Sequence, residues 1–204
     1  MMKPEEIEHE SFRIILSEMQ PHSFTSQELP LVQRVIHATG DFEYAALLRF
    51  STDAIEKGIK ALKMGKNIFT DVNMVAAGIS SRLLDKFGGG KYCLVDQIDT
   101  FDLARKQDIT RSAAAMRLLG PRLDGAIVAI GNAPTALFEI IRMAQEADVR
   151  PALVVGVPVG FVSAKESKEA LLATNLNYIT SLGRKGGSSV AAAIVNGLLR
   201  LATA

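Results

Sequence analysis

The sequence predicts a single domain of the α/β class, in which a mostly parallel, Rossmann-like sheet has helices on both faces and two further helices precede it at the N-terminus. From Ala45 onward, short apolar runs alternate with amphipathic segments, the order expected of βα units. Runs such as residues 126–130 are apolar at every position, as strands are when both sheet faces are covered. Turns rich in glycine and small residues follow several runs, where parallel sheets bind ligands.

The two N-terminal helices are predicted from their spacing and end signals. Apolar residues recur at helical spacing from Ile7 to Met19, and Pro21 ends this first helix. Thr25 and Glu28 have the spacing of a capping box at the start of the second helix. Gly40 supplies the stop for that helix.

The remaining elements follow from the alternation of apolar and amphipathic segments. We predict strands at residues 46–51, 67–72, 91–96, 125–131, 152–157 and 177–181. We predict helices at residues 52–64, 74–86, 110–119, 133–147, 164–174 and 188–202. No linker, low-complexity tract or internal repeat interrupts this order, so residues 1–204 are predicted to form one domain.

Composition and charge narrow the functional classes. Of the 204 residues, 48% are hydrophobic and 22% charged, as in a globular protein. The 23 Lys and Arg residues balance 22 Asp and Glu residues, so no basic field favours nucleic acid as a partner. The N-terminus is acidic rather than signal-like, and no apolar run approaches the ~20 residues that span a membrane. We therefore expect a cytoplasmic protein that does not bind membranes.

Four segments rich in glycine and small residues are interpreted as turns at the carboxyl ends of strands: residues 131–135, 156–161, 166–168 and 183–189. Glycine in such turns lets backbone N–H groups approach a ligand, and each following helix directs its positive end toward the same edge. We therefore predict one pocket for a ligand that is rich in negative charge or acceptor oxygens.

Other chemical motifs are weak or absent in the sequence. Three histidines (His9, His22 and His37) and the single cysteine, Cys93, lack metal-ligand spacing, and no GxSxG elbow occurs. We expect neither a metal site nor a resident cofactor. Residues 183–188 resemble a P-loop, but the lysine precedes the last glycines instead of following them. A nucleotide-using α/β enzyme is therefore the weaker alternative.

His37 is the titratable residue of greatest interest. It lies off the apolar stripe of the second predicted helix, three residues after Arg34 and in the last turn before Gly40. The negative end of the helix dipole at that turn stabilises a positive charge. Two interpretations stay open from the residues alone: a capping or surface cation, and a general acid that acts near neutral pH.

Arg111 begins an alanine-rich predicted helix at the same edge as the turns. Its forked, permanently charged head group suits a carboxylate, but an ion pair within the chain, with Asp108 as candidate partner, explains it equally well. Further polar residues recur at strand ends, where each one alone resembles a helix cap or a solvated loop residue. They are Asn132, Thr135, Lys165, Ser167, Arg184 and Lys185. Glu166 and Lys168 fit equally well as solvated residues in the first turn of their helix.

Several blocks of the sequence, in a fixed order, resemble the precorrin-8X methylmutase family over nearly the whole chain. They are residues 11–12 (SF), 34–40 (RVIHATG), 71–78 (DVNMVAAG), 110–115 (TRSAAA), 131–138 (GNAPTALF), 158–161 (PVGF) and 183–188 (GRKGGS). The resemblance implies a cytoplasmic, homodimeric isomerase of vitamin B12 biosynthesis. Such an enzyme moves a methyl group from C-11 to C-12 of a tetrapyrrole.

The same resemblance implies the substrate and the roles of individual residues. The substrate is precorrin-8X or cobalt-precorrin-8, the product is hydrogenobyrinate or cobyrinate, and any cobalt arrives with the substrate. His37 matches the family's catalytic histidine, and Ser11, Arg34 and Arg111 match positions that contact substrate. A rearrangement within one molecule needs no redox cofactor or nucleophile, which agrees with the missing motifs. A carrier that holds the product without catalysis is the alternative.

Overall fold

A sheet of six strands organises residues 3–203, the part of the chain that the computed structural model describes. The strands are β1 (Leu48–Phe50), β2 (Ile68–Thr70), β3 (Lys91–Cys93), β4 (Ile127–Ile130), β5 (Leu153–Gly156) and β6 (Tyr178–Ser181). Their order is β1-β6-β5-β4-β2-β3, with β1 antiparallel to β6 and all other neighbours parallel. The predicted α/β class and mostly parallel sheet are confirmed.

The helices of the described residues lie before, between and after these strands. They are α1 (Pro4–Glu18), α2 (Glu28–Thr39), α3 (Tyr44–Leu47), α4 (Ala54–Lys63), α5 (Asn73–Gly78), α6 (Ser81–Leu84), α7 (Ile98–Gln107), α8 (Arg111–Leu119), α9 (Pro134–Glu146), α10 (Ala164–Leu172) and α11 (Ser188–Thr203). Among the helices of residues 3–203, none combines the length and the apolar character that a membrane span requires.

Helices cover both faces of the sheet, and successive strand residues point to opposite layers. On β4, Ile127 and Ala129 pack in the layer that contains α2, α4 and α11, whereas Val128 and Ile130 pack with α8 and α9. All four side chains are fully buried. Burial on both faces therefore explains why these strands show no alternation of polar and apolar residues.

The predicted start and stop of α2 are confirmed. The Thr25 backbone N–H donates to the Glu28 carboxylate at 2.9 Å, and the Glu28 N–H donates to the Thr25 hydroxyl at 3.2 Å, which completes the capping box. Gly40 ends the helix with a φ of 65°, a left-handed conformation that glycine adopts without steric cost.

The single helix predicted at residues 74–86 is wrong, because the chain breaks between α5 and α6. Asn196 of α11 stabilises the break: its side-chain oxygen accepts from the Ser80 N–H and its amide donates to the Gly78 carbonyl, both at 2.8 Å. A Cβ on Gly78 would come within 2.7 Å of Ala192. Close packing on α11 thus overrides the helical pattern of the sequence.

Two further differences concern α7 and the start of β1. No element is predicted for residues 98–107, which form α7, because only Thr100 and Ala104 of this helix are buried and Ile98 is 77% exposed. The strand predicted at residues 46–51 begins later than expected, since its first two residues belong to α3.

Candidate active site at the carboxyl edge of the sheet

A cavity of about 600 Å³ opens at the carboxyl edge of the sheet. Its lining comes from the residues that follow β2, β3 and β4 and from the start of α8. Asn73, Asp96, Arg111, Asn132 and Thr135 are among the lining residues. The junctions after three neighbouring strands therefore meet at one concave site, as expected for a parallel sheet.

Asp71, directly after β2, is a fully buried carboxylate that holds the start of α9. It accepts hydrogen bonds from the backbone N–H groups of Gly131 (3.0 Å), Asn132 (2.8 Å) and Ala133 (2.7 Å). Burial raises the pKa of Asp71, and these N–H groups oppose the rise. The backbone N–H groups of residues 131–133 are therefore bound by the chain's own carboxylate, and a ligand at this turn would meet other groups.

Arg111 lies at the cavity with its charge partly neutralised. Its guanidinium donates to Asp96 at 3.2 Å and lies 4.9 Å from the centre of the Phe101 ring. The partner suggested by the sequence, Asp108, is therefore wrong, because Asp96 takes that place. Half of the Arg111 side chain is exposed, which leaves part of the guanidinium accessible to a ligand.

Thr110 and Thr135 join the starts of α8 and α9. The Thr110 hydroxyl accepts from the Ala113 N–H at 3.3 Å, as an N-cap does, and lies 2.7 Å from the Thr135 hydroxyl. Both threonines also line a second cavity of about 450 Å³ beside Phe138. Asn132 is exposed and lines the larger cavity. The structure thus brings Arg111, Asn132 and Thr135 together.

A second group of predicted site residues lies around the Phe12 ring of α1. Arg34 and His37 contact this ring from α2, and Ser11 precedes Phe12 on α1. The Arg34 guanidinium lies 5.1 Å and the His37 ring 5.3 Å from the centre of that ring. Arg34 also donates to Glu8 at 3.1 Å, and burial lowers the pKa of Arg34. The Ser11 hydroxyl donates to the backbone one turn earlier at 2.8 Å. The sequence predicts Phe12 as part of the apolar face of the first helix and within the 11–12 block, but it assigns this residue no role in the site.

The C-terminal end of α2 is held at the carboxyl edge of the sheet. Lys185, which follows β6, donates to Asp41 at 2.5 Å, and this ammonium lowers the pKa of Asp41. The Tyr44 hydroxyl donates to the Gly186 carbonyl at 3.3 Å. These contacts bring the exposed His37, in the last turn of α2, to the same edge. The 600 Å³ cavity, however, is lined by residues outside α1 and α2.

The predicted contact residues near α10 differ in accessibility. Arg184 is exposed, with its guanidinium 5.4 Å from the centre of the Phe161 ring. Lys165 is exposed and lies 3.6 Å from Glu169 in an ion pair. Ser167 is fully buried, and its hydroxyl donates to the carbonyl three residues earlier at 3.0 Å. Residues 166–168 lie within α10, so interpreting them as a turn at a strand end is wrong.

Lys168 is the residue that sequence reasoning missed. The solvated position considered for it is wrong, because its side chain is 1% exposed. The ammonium donates to the Lys185 carbonyl at 2.7 Å and to the Ser181 hydroxyl at 3.4 Å. Burial lowers the pKa of Lys168 to about 8. No pattern in the sequence distinguishes this lysine from the exposed lysines of other helices.

Metal-binding and nucleophilic groups are few. Among the side chains that the structure describes, no cluster of three or more His, Cys, Asp or Glu residues could hold a metal ion. Cys93 ends β3, within the predicted strand, and is partly buried. Burial raises the pKa of its thiol, which disfavours the reactive thiolate.

These observations define an α/β protein with arginines and phenylalanines around a site at the carboxyl edge of its sheet. A family model described as precorrin-8X methylmutase matches residues 6–201. The chain belongs to the precorrin-8X methylmutase family. It is therefore an enzyme of the isomerase class, an intramolecular transferase.

Individual relatives agree with this membership over most of their length. The cobalt-precorrin-8 methylmutase of Priestia megaterium is 45% identical over 98% of this chain and 89% of the relative. The cobalt-precorrin-8 methylmutase of Methanocaldococcus jannaschii is 48% identical over 89% of this chain and 83% of the relative. The precorrin-8X methylmutase of Sinorhizobium sp. is 41% identical over 93% of this chain and 91% of the relative. The crystal structure of the Thermus thermophilus precorrin-8X methyl mutase is similar with a TM-score of 0.89 at 44% identity, covering 97% of both chains.

Proposed function

We propose that this enzyme converts precorrin-8X or cobalt-precorrin-8 to hydrogenobyrinate or cobyrinate in vitamin B12 biosynthesis, with His37 as general acid. The bond between the methyl group and C-11 breaks and a bond to C-12 forms. Substrate and product are isomers, so the proton that His37 donates is returned after the shift. The substrate names of the relatives support the reaction class. The exposed His37 ring, held against Phe12 at the end of α2, supports the assignment of the acid.

A single acid is a sufficient chemical contribution for this reaction. Protonation of the macrocycle shifts electron density in its π-system and so weakens the bond to the migrating methyl group. A positioned acid contributes about 10²–10⁴-fold to a rate. Binding that favours the product-like shape of the ring supplies further acceleration. Contact with Phe12 restricts the orientation of the His37 ring, which a proton transfer at one atom requires.

The three proposed substrate arginines share one local arrangement that suits an apolar macrocycle with peripheral carboxylates. Each guanidinium lies over a phenylalanine ring: Arg34 on Phe12 at 5.1 Å, Arg111 on Phe101 at 4.9 Å and Arg184 on Phe161 at 5.4 Å. Phe101 is 41% and Phe161 is 85% exposed. A cation beside an accessible ring offers an ion pair to a carboxylate and an apolar surface to the macrocycle.

Neutral and cationic side chains complete the proposed binding set. Ser11, Asn132 and Thr135 supply hydrogen-bonding groups, and Lys165 supplies an exposed ammonium. Ser167 is left out of the set, since its hydroxyl is buried against its own helix.

Cobalt belongs to the substrate in this proposal, and the enzyme uses no cofactor of its own. The relatives from Priestia megaterium and Sinorhizobium sp. differ in whether their names include cobalt. Parallel assays of the two substrate forms, with protein treated with a chelator beforehand, measure the preference directly. Full activity on at least one form after chelation is expected, and restoration only by added metal would contradict the proposal.

We also propose that the protein acts in the cytoplasm as a homodimer, as the resemblance to its family implies. Light scattering coupled to gel filtration should give twice the chain mass of 22.0 kDa. A monomeric mass at the concentration of the assay would remove the dimer from the proposal.

Replacement of His37 by alanine tests the general acid. We expect turnover to fall by about 10²–10⁴-fold, because the proton donor is lost, while the dissociation constant for the product stays within a few-fold. The visible spectrum follows both quantities, since the conjugated system changes during the reaction. Turnover at the wild-type rate in His37→Ala would remove the acid from the mechanism.

His9→Ala is the matched control, since His9 is an exposed histidine on the neighbouring helix α1. This control should retain wild-type turnover. The carrier alternative makes a different prediction for the unmodified protein: the late precorrin binds and its spectrum stays unchanged through the incubation. Spectral conversion to the corrin excludes a pure carrier.

A further inference from the structure

Among the described residues, Lys168 is the only lysine or arginine that is fully buried, at 1% exposure, and no carboxylate is hydrogen-bonded to its ammonium. Its partners are the Lys185 carbonyl at 2.7 Å and the Ser181 hydroxyl at 3.4 Å. The Ser181 hydroxyl donates to the same Lys185 carbonyl at 2.8 Å. One backbone carbonyl thus receives two side-chain donors from inside the domain.

Residues 183–187, here termed the 183–187 turn, also contact the loop after β5 and the residues that follow α2. The Gly187 N–H donates to the Val157 carbonyl at 2.9 Å, and the Gly160 N–H donates to the Arg184 carbonyl at 3.2 Å. Gly186 lies so close to the loop after β5 that a Cβ would come within 2.2 Å of the Val157 carbonyl oxygen. The turn is therefore held by the loop after β5, by Tyr44 and Asp41 beyond α2, and by Lys168 from α10.

Burying an ammonium costs free energy that its two neutral acceptors offset only in part. A methionine side chain of similar length would fill the same space without this cost. The amine therefore has a role that apolar packing does not supply, and its contacts identify what it holds.

We propose that Lys168 is a positioning residue that fixes the 183–187 turn, and thereby Arg184, for substrate binding. The proposal rests on the proposed function, because it takes Arg184 as a substrate contact. Arg184 is on this turn, with its guanidinium on Phe161. Lys185 extends from the same turn to Asp41 and Glu43, just beyond the end of α2 that holds His37. Lys168 itself is too buried to contact substrate.

A double-mutant cycle of Lys168→Met and Arg184→Ala tests this role. The dissociation constant for the purified corrin product is measured by absorbance, and KM and kcat are measured for the substrate. Lys168→Met should weaken product binding and raise KM by about tenfold, roughly the loss of one hydrogen-bonded contact, with a smaller change in kcat. Arg184→Ala should weaken binding similarly in the wild type but hardly at all in the Lys168→Met background.

Two outcomes overturn the proposal: unchanged product affinity in Lys168→Met, or additive effects of the two substitutions on binding. Lys57→Met, an exposed lysine on α4, is the control for the loss of a positive charge and should bind product normally. Hydrogen exchange gives a second readout, because Lys168→Met should speed exchange of the Gly187 amide and leave α2 and α9 protected. Slow exchange at Gly187 in this variant also contradicts the role.

The exchange and product-binding measurements do not require turnover. If the unmodified protein binds product but fails to isomerise substrate, the proposed function fails while the role of Lys168 is still measured. If Lys168→Met does not fold, Ser181→Ala removes the second donor to the Lys185 carbonyl and leaves the amine in place. We expect this variant to show the same changes at smaller size, and normal exchange together with normal affinity would contradict the proposal.

Discussion

Arg111 is half exposed, paired with Asp96 and stacked on Phe101, so its loss should affect binding more than folding. In Arg111→Ala we expect product affinity to fall about tenfold or more, since hydrogen bonds to charged groups contribute about 1.5–3 kcal/mol. The free energy of unfolding should change by about 1 kcal/mol or less, because the ion pair is exposed. Absorbance titration and urea unfolding measure the two quantities.

Arg122→Ala is the control for this comparison. Arg122 is also exposed and lies 5.6 Å from the centre of the Phe69 ring, but it precedes β4 and is therefore at the opposite edge of the sheet. Its removal should leave product affinity unchanged. Product affinity at the wild-type level in both variants would make Arg111 a structural residue.

The lowered pKa of Lys168 predicts a pH dependence of stability. The folded protein releases the proton at about pH 8 and the unfolded chain at about 10.5, so the unfolded state binds more protons between these values. Stability therefore rises with pH in this window. A pKa of about 8 in place of 10.5 corresponds to about 3 kcal/mol. The partners of the amine, the Ser181 hydroxyl and the Lys185 carbonyl, do not titrate there.

Urea unfolding at several pH values from 7 to 11 measures this effect as the difference between wild type and Lys168→Met. The variant lacks the titrating amine, so the difference isolates its contribution from those of all other groups. Wild type should gain up to about 3 kcal/mol relative to the variant as pH rises from 8 to 10.5. If the free energy of unfolding changes with pH by the same amount in the two proteins, the prediction for the Lys168 amine is contradicted.

The sequence predicted the positions of single residues where a local rule applies. The capping box of Thr25 and the stop at Gly40 are local, so spacing and residue type were sufficient. The burial of Lys168 and the pairing of Arg111 with Asp96 depend on elements that are distant in the chain. No local pattern contains that information, because a lysine or arginine on a helix is normally solvated.

At the scale of elements, Asp71 joins the end of β2 to the start of α9. In Asp71→Asn, one acceptor oxygen becomes a donor amide, so at least one buried N–H loses its partner. Each such loss costs about 1–3 kcal/mol. We expect the free energy of unfolding to fall by that amount and product binding to weaken, because the turn that contains Asn132 is released.

Asp124→Asn provides the comparison for this variant. Asp124 also accepts a backbone N–H, from Arg150 at 3.0 Å, but in an exposed position before β4. Because water can replace that hydrogen bond, the free energy of unfolding should fall less than in Asp71→Asn, and product binding should not change. Similar destabilisation in both variants would show that the three N–H groups at Asp71 find other partners.

Element boundaries were predictable where propensity and packing agree, and failed where packing overrides propensity. The strands β4 and β5 lie within their predicted ranges because these buried parallel strands have no polar side chain. β6 also lies within its predicted range, although it ends in the buried polar residues Thr180 and Ser181. The break between α5 and α6 was not predictable, since Asn196 and Ala192 cause it from a helix more than a hundred residues later. α7 is missing from the prediction because its buried face is small.

For the whole molecule, the alternation of strands and helices was sufficient to predict a mostly parallel sheet, in which the turns after the strands meet at one edge. Chain order alone does not say how far apart two groups at that edge lie. The structure places His37 in the group around Phe12 and Arg111 at the 600 Å³ cavity, while Arg184 lies apart from both, on Phe161. The 600 Å³ cavity of one copy includes Arg111 but not His37. A macrocycle that contacts both residues must therefore extend beyond this cavity.

If the proposed dimer forms each site from His37 of one copy and Arg111 of the other, combining the two impaired variants in one dimer should restore activity, measured at a substrate concentration below KM. His37→Ala and Arg111→Ala are coexpressed with different tags, and dimers that contain both tags are purified. In such a dimer, one site combines both substitutions and the other has neither, so about half the wild-type activity is expected. Each variant alone provides the baseline. Should every site lie within one copy, both sites of the mixed dimer contain one substitution, and its activity stays at the mean of the two variants.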